Sequence, residues 1–222
     1  MRSVIGRSAA VLALAVCALS SCITHPSREE LARGDFVKAG TIGERAFVSD
    51  TVHRVTPAMQ HALTEVYVSD DCPRYKRDQS GDWLESGHCE WMGRTICIHP
   101  CYLDDETVWH EIAHAFFYAL PAYKRADWEA ISKPAYGGRS GMFPRNGIIT
   151  NYGATNYYEN FAEWVAWALE RCTSGGRAWD VDVNLINKRD VRFLRSLQFL
   201  RDCGALSVGD YATLEPLFTP VP

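Results

Sequence analysis

The sequence predicts an α+β domain over residues 51–222: a small N-terminal sheet, a central helix, and a mainly helical C-terminal part. Three observations predict it. Two short runs, Glu65 to Ser69 and Arg94 to His99, are rich in β-branched and aromatic residues and end at Asp70-Asp71 and Pro100. The stretch from Val108 to Leu120 is apolar almost throughout and stops at Pro121. Two further helical patterns follow, about 156–171 and 188–203.

Residues 1–21 read as a secretory signal. Arg2 and Arg7 make a positive start, and Ala9 to Leu19 is an apolar run too short to span a bilayer comfortably. Leu19-Ser20-Ser21-Cys22 resembles the lipobox of bacterial lipoproteins, which implies cleavage before Cys22 and lipid on that cysteine. Ile23 follows where an inner-membrane retention signal would carry Asp. The resemblance therefore implies an exported bacterial lipoprotein of the outer membrane, cell surface or periplasm. An ordinary cleaved signal peptide is the plainer alternative.

Removing residues 1–21 takes away two arginines and leaves 21 basic against 27 acidic side chains, a net charge of −6. No basic stripe is present, so nucleic acid is not expected as a partner. What remains is one domain's worth of chain, and a monomer is expected. Residues 22–50, with Pro26, Gly34, Gly40 and Gly43 among charges, read as a tether and a loosely structured lead-in.

Six cysteines besides Cys17 and Cys22 suggest disulfides in an exported chain: Cys72, Cys89, Cys97, Cys101, Cys172 and Cys203. The expected pairing is Cys172 with Cys203 across two C-terminal helices, and the other four among themselves. A structural zinc knuckle at Cys97, His99 and Cys101 lacks a second matching pair.

Within the domain, Thr56 caps a short helix to about Thr64 with Pro57 at its first position. Residues 73–87 are polar loop. Asp104 to Thr107 is an acidic helix start. Residues 132–153 hold Gly137, Gly138, Gly141 and Gly147 and form a long irregular connection, which in a compact domain is usually functional or mobile.

The chemistry lies in His110-Glu111-Ile112-Ala113-His114, an H-E-x-x-H pattern. On a helix, residues four apart share a face, so both imidazoles can reach one zinc ion. Glu111 stands beside that face as general base. Zinc lowers the pKa of a bound water to about 7, and the carboxylate takes the proton as water attacks a peptide carbonyl. The bland alternative is a helix with two core histidines and a solvated glutamate. A catalytic zinc needs a third protein ligand, and the continuation after His114 offers none in register. Glu159 and Glu163, one helical turn apart, are the candidates: one to bind metal, the other to orient a ligand histidine through its ring N–H. Spacing alone leaves open which does which.

Tyr152-Gly153-Ala154-Thr155-Asn156, followed by Glu159-Asn160-Phe161-Ala162-Glu163, resembles the catalytic segment of the anthrax toxin lethal factor family, which includes the Pro-Pro endopeptidases. The resemblance covers about 65–169. It implies a zincin-like fold and a gluzincin metallopeptidase with one Zn2+ per chain. His110, His114 and Glu159 would be ligands, Glu111 the base, Glu163 a carboxylate behind a ligand, and Tyr152 a phenol donor to the oxyanion. Losing one such donor typically costs about 2.7–4 kcal/mol of transition-state stabilisation. The plainer alternative for Tyr152 is a surface tyrosine on a glycine loop.

A peptide or protein substrate is expected, with the 94–99 strand as the cleft edge pairing an extended chain. His99 is then a rim residue or simply exposed. Trp109, Phe116, Trp164, Trp167 and Leu169 are expected as core around the helices. A metal-dependent hydrolase of cell-wall peptides would use the same site. A non-catalytic interaction protein stabilised by zinc would not need Glu111 or Tyr152.

Overall fold

The computed structural model describes residues 35–70, 87–89, 95–132, 146–174 and 186–219. Its fold is α+β and dominated by helix. In chain order come α1 (Ile42–His53), α2 (Pro57–Gln60), β1 (Glu65–Val68), β2 (Gly87–Cys89) and β3 (Thr95–Ile98). A 3-10 turn (Pro100–Tyr102) leads to α3 (Asp105–Ala119), α4 (Ala122–Ser132), α5 (Tyr157–Thr173), α6 (Val191–Cys203) and α7 (Val208–Phe218).

The sheet has the order β1-β3-β2. β1 runs parallel to β3, with Val66 opposite Ile96, and β2 runs antiparallel, with His88 opposite Cys97. On the outer side of β1, Val37 bridges Val66, where Lys38 N–H donates to Val66 O at 2.8 Å and Val66 N–H to Phe36 O at 3.0 Å. The 94–99 run is therefore the middle strand, not the expected cleft edge. Its ladder groups are taken on both sides, and the three-residue β2 is the strand beyond it.

The lead-in expected to be loose differs at its C-terminal end. Thr41 and Glu44 close a capping box, each side chain bonding the other's backbone N–H, and this starts α1. Val48, Thr51 and Val52 of α1 are buried. The short helix after Thr56 is capped as expected, Thr56 Oγ1 accepting from Met59 N–H, but ends at Gln60.

α3 is the spine. Asp104 accepts from Thr107 N–H at 2.7 Å as N-cap, a bond worth about 1 kcal/mol, and Asp105 and Glu106 complement the helix dipole. Nine of its fifteen residues are buried, so it lies inside the domain rather than on it. It packs along α5, whose buried face carries Phe161, Trp164, Val165 and Leu169. Phe117 and Phe161 meet at 5.0 Å between ring centroids, and Trp128 of α4 stands edge-on to Phe161 at 5.3 Å. The expected core aromatics Trp109, Phe116, Trp164 and Trp167 are all buried. Truncating a buried ring of this kind to Ala typically costs about 3–5 kcal/mol. No helix among the described residues is long and apolar enough to cross a membrane.

The cysteine expectations are partly overturned. Cys172 and Cys203 are separate thiols. The Cys172 sulfur lies 3.9 Å from Asp210 O of α7, while the Cys203 sulfur turns back to Leu200 O of its own helix at 3.4 Å. They face different neighbours, so helix proximity does not make a bond. Cys89 and Cys101, expected to pair within the other four, are thiols outside any disulfide, Cys101 exposed. Cys97 is disulfide-bonded, to a partner outside the described residues, which removes it from any zinc knuckle. Residues 1–34, Cys22 among them, and most of the 132–153 connection also lie outside the described residues.

Candidate metal centre

α3 and α5 run antiparallel, so the middle of one faces the first turns of the other. His110 and His114 project from one face of α3, one turn apart, with ring centroids 4.7 Å apart. Asn156 caps α5 by accepting from Glu159 N–H at 2.8 Å, which fixes Glu159 in the first turn. Glu159 Oε2 then stands 3.1 Å from Nε2 of both histidines, and those two nitrogens are 3.0 Å apart. Of the two glutamates left open by spacing, Glu159 is the one at this convergence.

Glu163, one turn further along α5, presents Oε1 to His110 Nδ1 at 3.0 Å. A carboxylate can only accept there, so Nδ1 carries a proton, and whenever the ring is neutral Nε2 is left to offer its lone pair to the centre. Nε2 faces the Glu159 oxygen, a contact that either a proton on Nε2 or a cation at the convergence satisfies. Tetrahedral zinc with ligands at about 2.0–2.2 Å holds donor atoms roughly 3.3–3.6 Å apart, close to the spacings seen here. His110, His114 and Glu159 are the one such group among the described residues, their ligand atoms all within 4.8 Å of one another.

The electrostatics agree with the donor chemistry. Burial disfavours a charged His110, but its hydrogen bonds to Glu159 and Glu163 and the field of Glu111 raise its pKa well above the usual imidazole value. Burial likewise opposes a charged Glu159, yet both histidines hold its pKa down to about 2. The cluster draws positive charge, which a proton or a metal ion can satisfy.

Glu111 is 5% exposed, beside the ligand face of α3. Tyr152 is 53% exposed at the tip of a loop, its ring 5.7 Å from that of His110. The loop is ordered by Gly153 N–H donating to Thr150 Oγ1 at 2.9 Å and Thr155 N–H to Tyr152 O at 2.9 Å. All six residues singled out in the folded chain, His110, Glu111, His114, Tyr152, Glu159 and Glu163, thus lie in or beside one site.

Three features escaped sequence reasoning. Tyr118, one turn after His114, and Tyr158, next to Glu159, flank the His114 ring at 6.4 and 6.2 Å. His114 Nδ1 has no hydrogen-bond partner among the described residues, so packing between these rings orients it. Spacing one turn from a ligand was the available signal for Tyr118. Next, His99 is 2% exposed rather than on a rim: its Nε2 pairs with Asp70 at 2.8 Å, and its Nδ1 accepts from Cys101 N–H. It caps the 3-10 turn that aims α3. Finally, a hollow of about 640 Å³ lies at the start of α3 and end of α5, lined by Asp104, Asp105, Glu106, Glu170 and Arg54 among others. Burial and the Glu163, Asp104 and Glu170 carboxylates push Glu106 up to about 8. No ligand set converges there among the described residues. The candidate ligand group lies further along α3 and not in this hollow.

None of the family models, curated proteins or solved structures compared with this chain matches it.

Proposed function

We propose that this chain is a zinc endopeptidase of the gluzincin type with a zincin-like fold, tethered by lipidated Cys22 to an outer membrane and acting on peptide or protein substrates as a monomer. One observation carries the reading: two histidine nitrogens and a Glu159 oxygen within 4.8 Å, with Glu163 behind His110. Two nitrogens and one carboxylate leave a fourth position open, which is the donor set of a catalytic zinc and not of a closed structural one.

Zinc bound there supplies Lewis-acid polarisation and lowers the pKa of water. The protein's own groups do the rest. Glu111, buried beside the ligand face, takes a proton from the attacking water and delivers it to the leaving amine. Tyr152, whose ring lies 5.7 Å from that of His110, donates its phenol hydrogen to the oxyanion. Glu163 holds the His110 tautomer. An extended substrate pairs with the outer side of β2, the strand that ends the described sheet.

The test is metal analysis of the mature chain beside Glu159→Ala, followed by a peptide-library screen. About one zinc per chain, lost in the variant, with peptide cleavage supports the reading. Metal without cleavage of polypeptide, but with release of cross-linked cell-wall peptides, moves the substrate to the cell wall. No zinc in either protein overturns it.

A further inference from the structure

The loop that carries Tyr152 is bonded to a helix that contributes nothing to the metal centre. It begins at a turn whose two residues are both left-handed, Asn146 with φ 56° and Gly147 with φ 80°. Asparagine tolerates that region better than most side chains, and glycine does so freely. Gly147 is required for a second reason: a Cβ there would stand 2.7 Å from Cβ of Arg192 on α6. The turn is thus pressed against the first turn of α6 by close backbone approach.

Arg192 fastens the contact. Its Nη2 donates to Asn146 Oδ1 at 2.9 Å. The same guanidinium is held by Asp190 in a fork, Nε to Oδ1 at 2.8 Å and Nη2 to Oδ2 at 2.7 Å. Asp190 in turn caps α6 by accepting from Arg192 N–H at 3.1 Å. A forked, charge-assisted pair has a fixed plane, so the donor aimed at Asn146 is pre-positioned. From the other side, Trp164 of α5 donates its indole N–H to Gly147 O at 2.9 Å. The residue before Trp164 is Glu163, the partner of His110.

Beyond the turn the chain has little slack. Ile148 and Ile149 are buried, Thr150 accepts from Gly153 N–H, and Asn156 is already the cap of α5. Tyr152 is the exposed tip of a segment fixed at both ends. Displacing a reacting group by about 1 Å can cost on the order of a hundredfold in rate.

We infer that Arg192 is a positioning residue: through Asn146 it holds the turn from which the Tyr152 loop is hung over the metal centre. The catalytic consequence rests on the function proposed above, while the mechanical part does not. The Arg192 side chain is bonded to Asp190 and Asn146 and not to His110, His114 or Glu159. It acts through the loop alone.

Two variants break the same bond from opposite ends. Arg192→Met removes the guanidinium and keeps the aliphatic stem. Asn146→Gly removes the acceptor and suits the left-handed backbone. In full-length protein, hydrogen exchange at the Gly153 and Thr155 amides, whose bonds order the loop, should accelerate at least several-fold in both variants. Amides in the middle of α5 and α6 should keep their protection, which separates a loosened loop from a protein that fails to fold.

In zinc-loaded protein both variants should lose about tenfold to a hundredfold in kcat, with KM within about threefold and zinc content unchanged. In a Tyr152→Phe background, adding Arg192→Met should cost less than about twofold, because the group being positioned is gone. Unchanged exchange at Gly153 and Thr155 overturns the inference whether or not the protein cleaves peptides. So do multiplicative losses in the double variant, or a Tyr152→Phe enzyme as active as wild type. A protein that loosens as expected but hydrolyses nothing overturns the proposed function and leaves the brace standing.

Discussion

Glu163 Oε1 lies 3.0 Å from His110 Nδ1, on the opposite edge of the ring from Glu159. The two glutamates, one turn apart on α5, therefore act on the two nitrogens of one imidazole. Their replacement should have different results. Glu159→Ala removes a donor atom and should leave little metal after dialysis. Glu163→Ala removes only the group that fixes the tautomer and should weaken metal binding by about 10–100-fold. Glu163→Gln, whose carbonyl still accepts from Nδ1–H, should weaken it less. Metal titration of the three variants checks the order, and Glu163→Ala losing as much as Glu159→Ala would reverse the assignment.

Glu111 is buried beside the ligand face but outside the converging set. Glu111→Gln keeps size and shape and removes the basic oxygen. It should bind zinc as wild type does and lose about 10²–10⁴-fold in kcat, the range typical of a positioned acid–base group. Parallel metal analysis and turnover on one peptide substrate decide it; near-normal turnover removes Glu111 as base.

The site was readable because its chemistry is written in helix periodicity. His110 with His114 and Glu159 with Glu163 are i, i+4 pairs, and that spacing alone fixes a shared face. Which face met which depended on α3 and α5 running antiparallel, which no local pattern encodes. The family resemblance supplied the choice between the glutamates. The fold was less readable where elements are short or weakly amphipathic. α1 shows little apolar periodicity, and its only clear signal was the Thr41 to Glu44 capping box. α7 contains Pro216 and Gly209, residues that argue against a helix, yet Ser207 and Asp210 cap it and Leu214 and Phe218 are buried. β2 is three residues long and exists through its pairing with β3, so the sequence could not show that the 94–99 run would be internal. His99 looked like a rim residue for the same reason: its partner Asp70 is distant in sequence.

Gly153 marks where the Tyr152 loop comes down on α5. A Cβ there would lie 3.2 Å from Thr150 Oγ1 and Asn160 Oδ1, and 3.3 Å from Asn160 Cα. The last is helix backbone in the core and cannot give way, so the loop must lift. Gly153→Ala should lower kcat while leaving zinc content intact, with a stability loss of about 1–3 kcal/mol, as usual for overpacking. Turnover and metal content measured on the same sample check this. Full activity would mean that the loop absorbs the methyl and that its height above His110 is not critical.

Cys172 and Cys203 should behave as two half-buried thiols and not as a bridge. Burial is the first cause of both shifts, and it pushes each thiol up to about 12. The Asp210 carboxylate adds to the effect at Cys172, while the Ala205 backbone N–H and then Lys124 partly offset it at Cys203. The thiolate is the reactive form, so at pH 8 about one in ten thousand of either would be ionised in the folded protein. Alkylation without reductant should therefore label exposed Cys101 first. It should reach Cys172 and Cys203 only as the chain unfolds, and then label both. Peptide mapping after denaturation in alkylating agent reads the outcome directly. A cross-linked Cys172–Cys203 peptide would mean that Cys172 can turn away from Asp210 and that the helices carrying the two sulfurs move together in solution. Two separately alkylated peptides would mean that α5, α6 and α7 are held by packing alone, through Trp164, Phe193 and Phe218, whose rings meet within 6.2 Å.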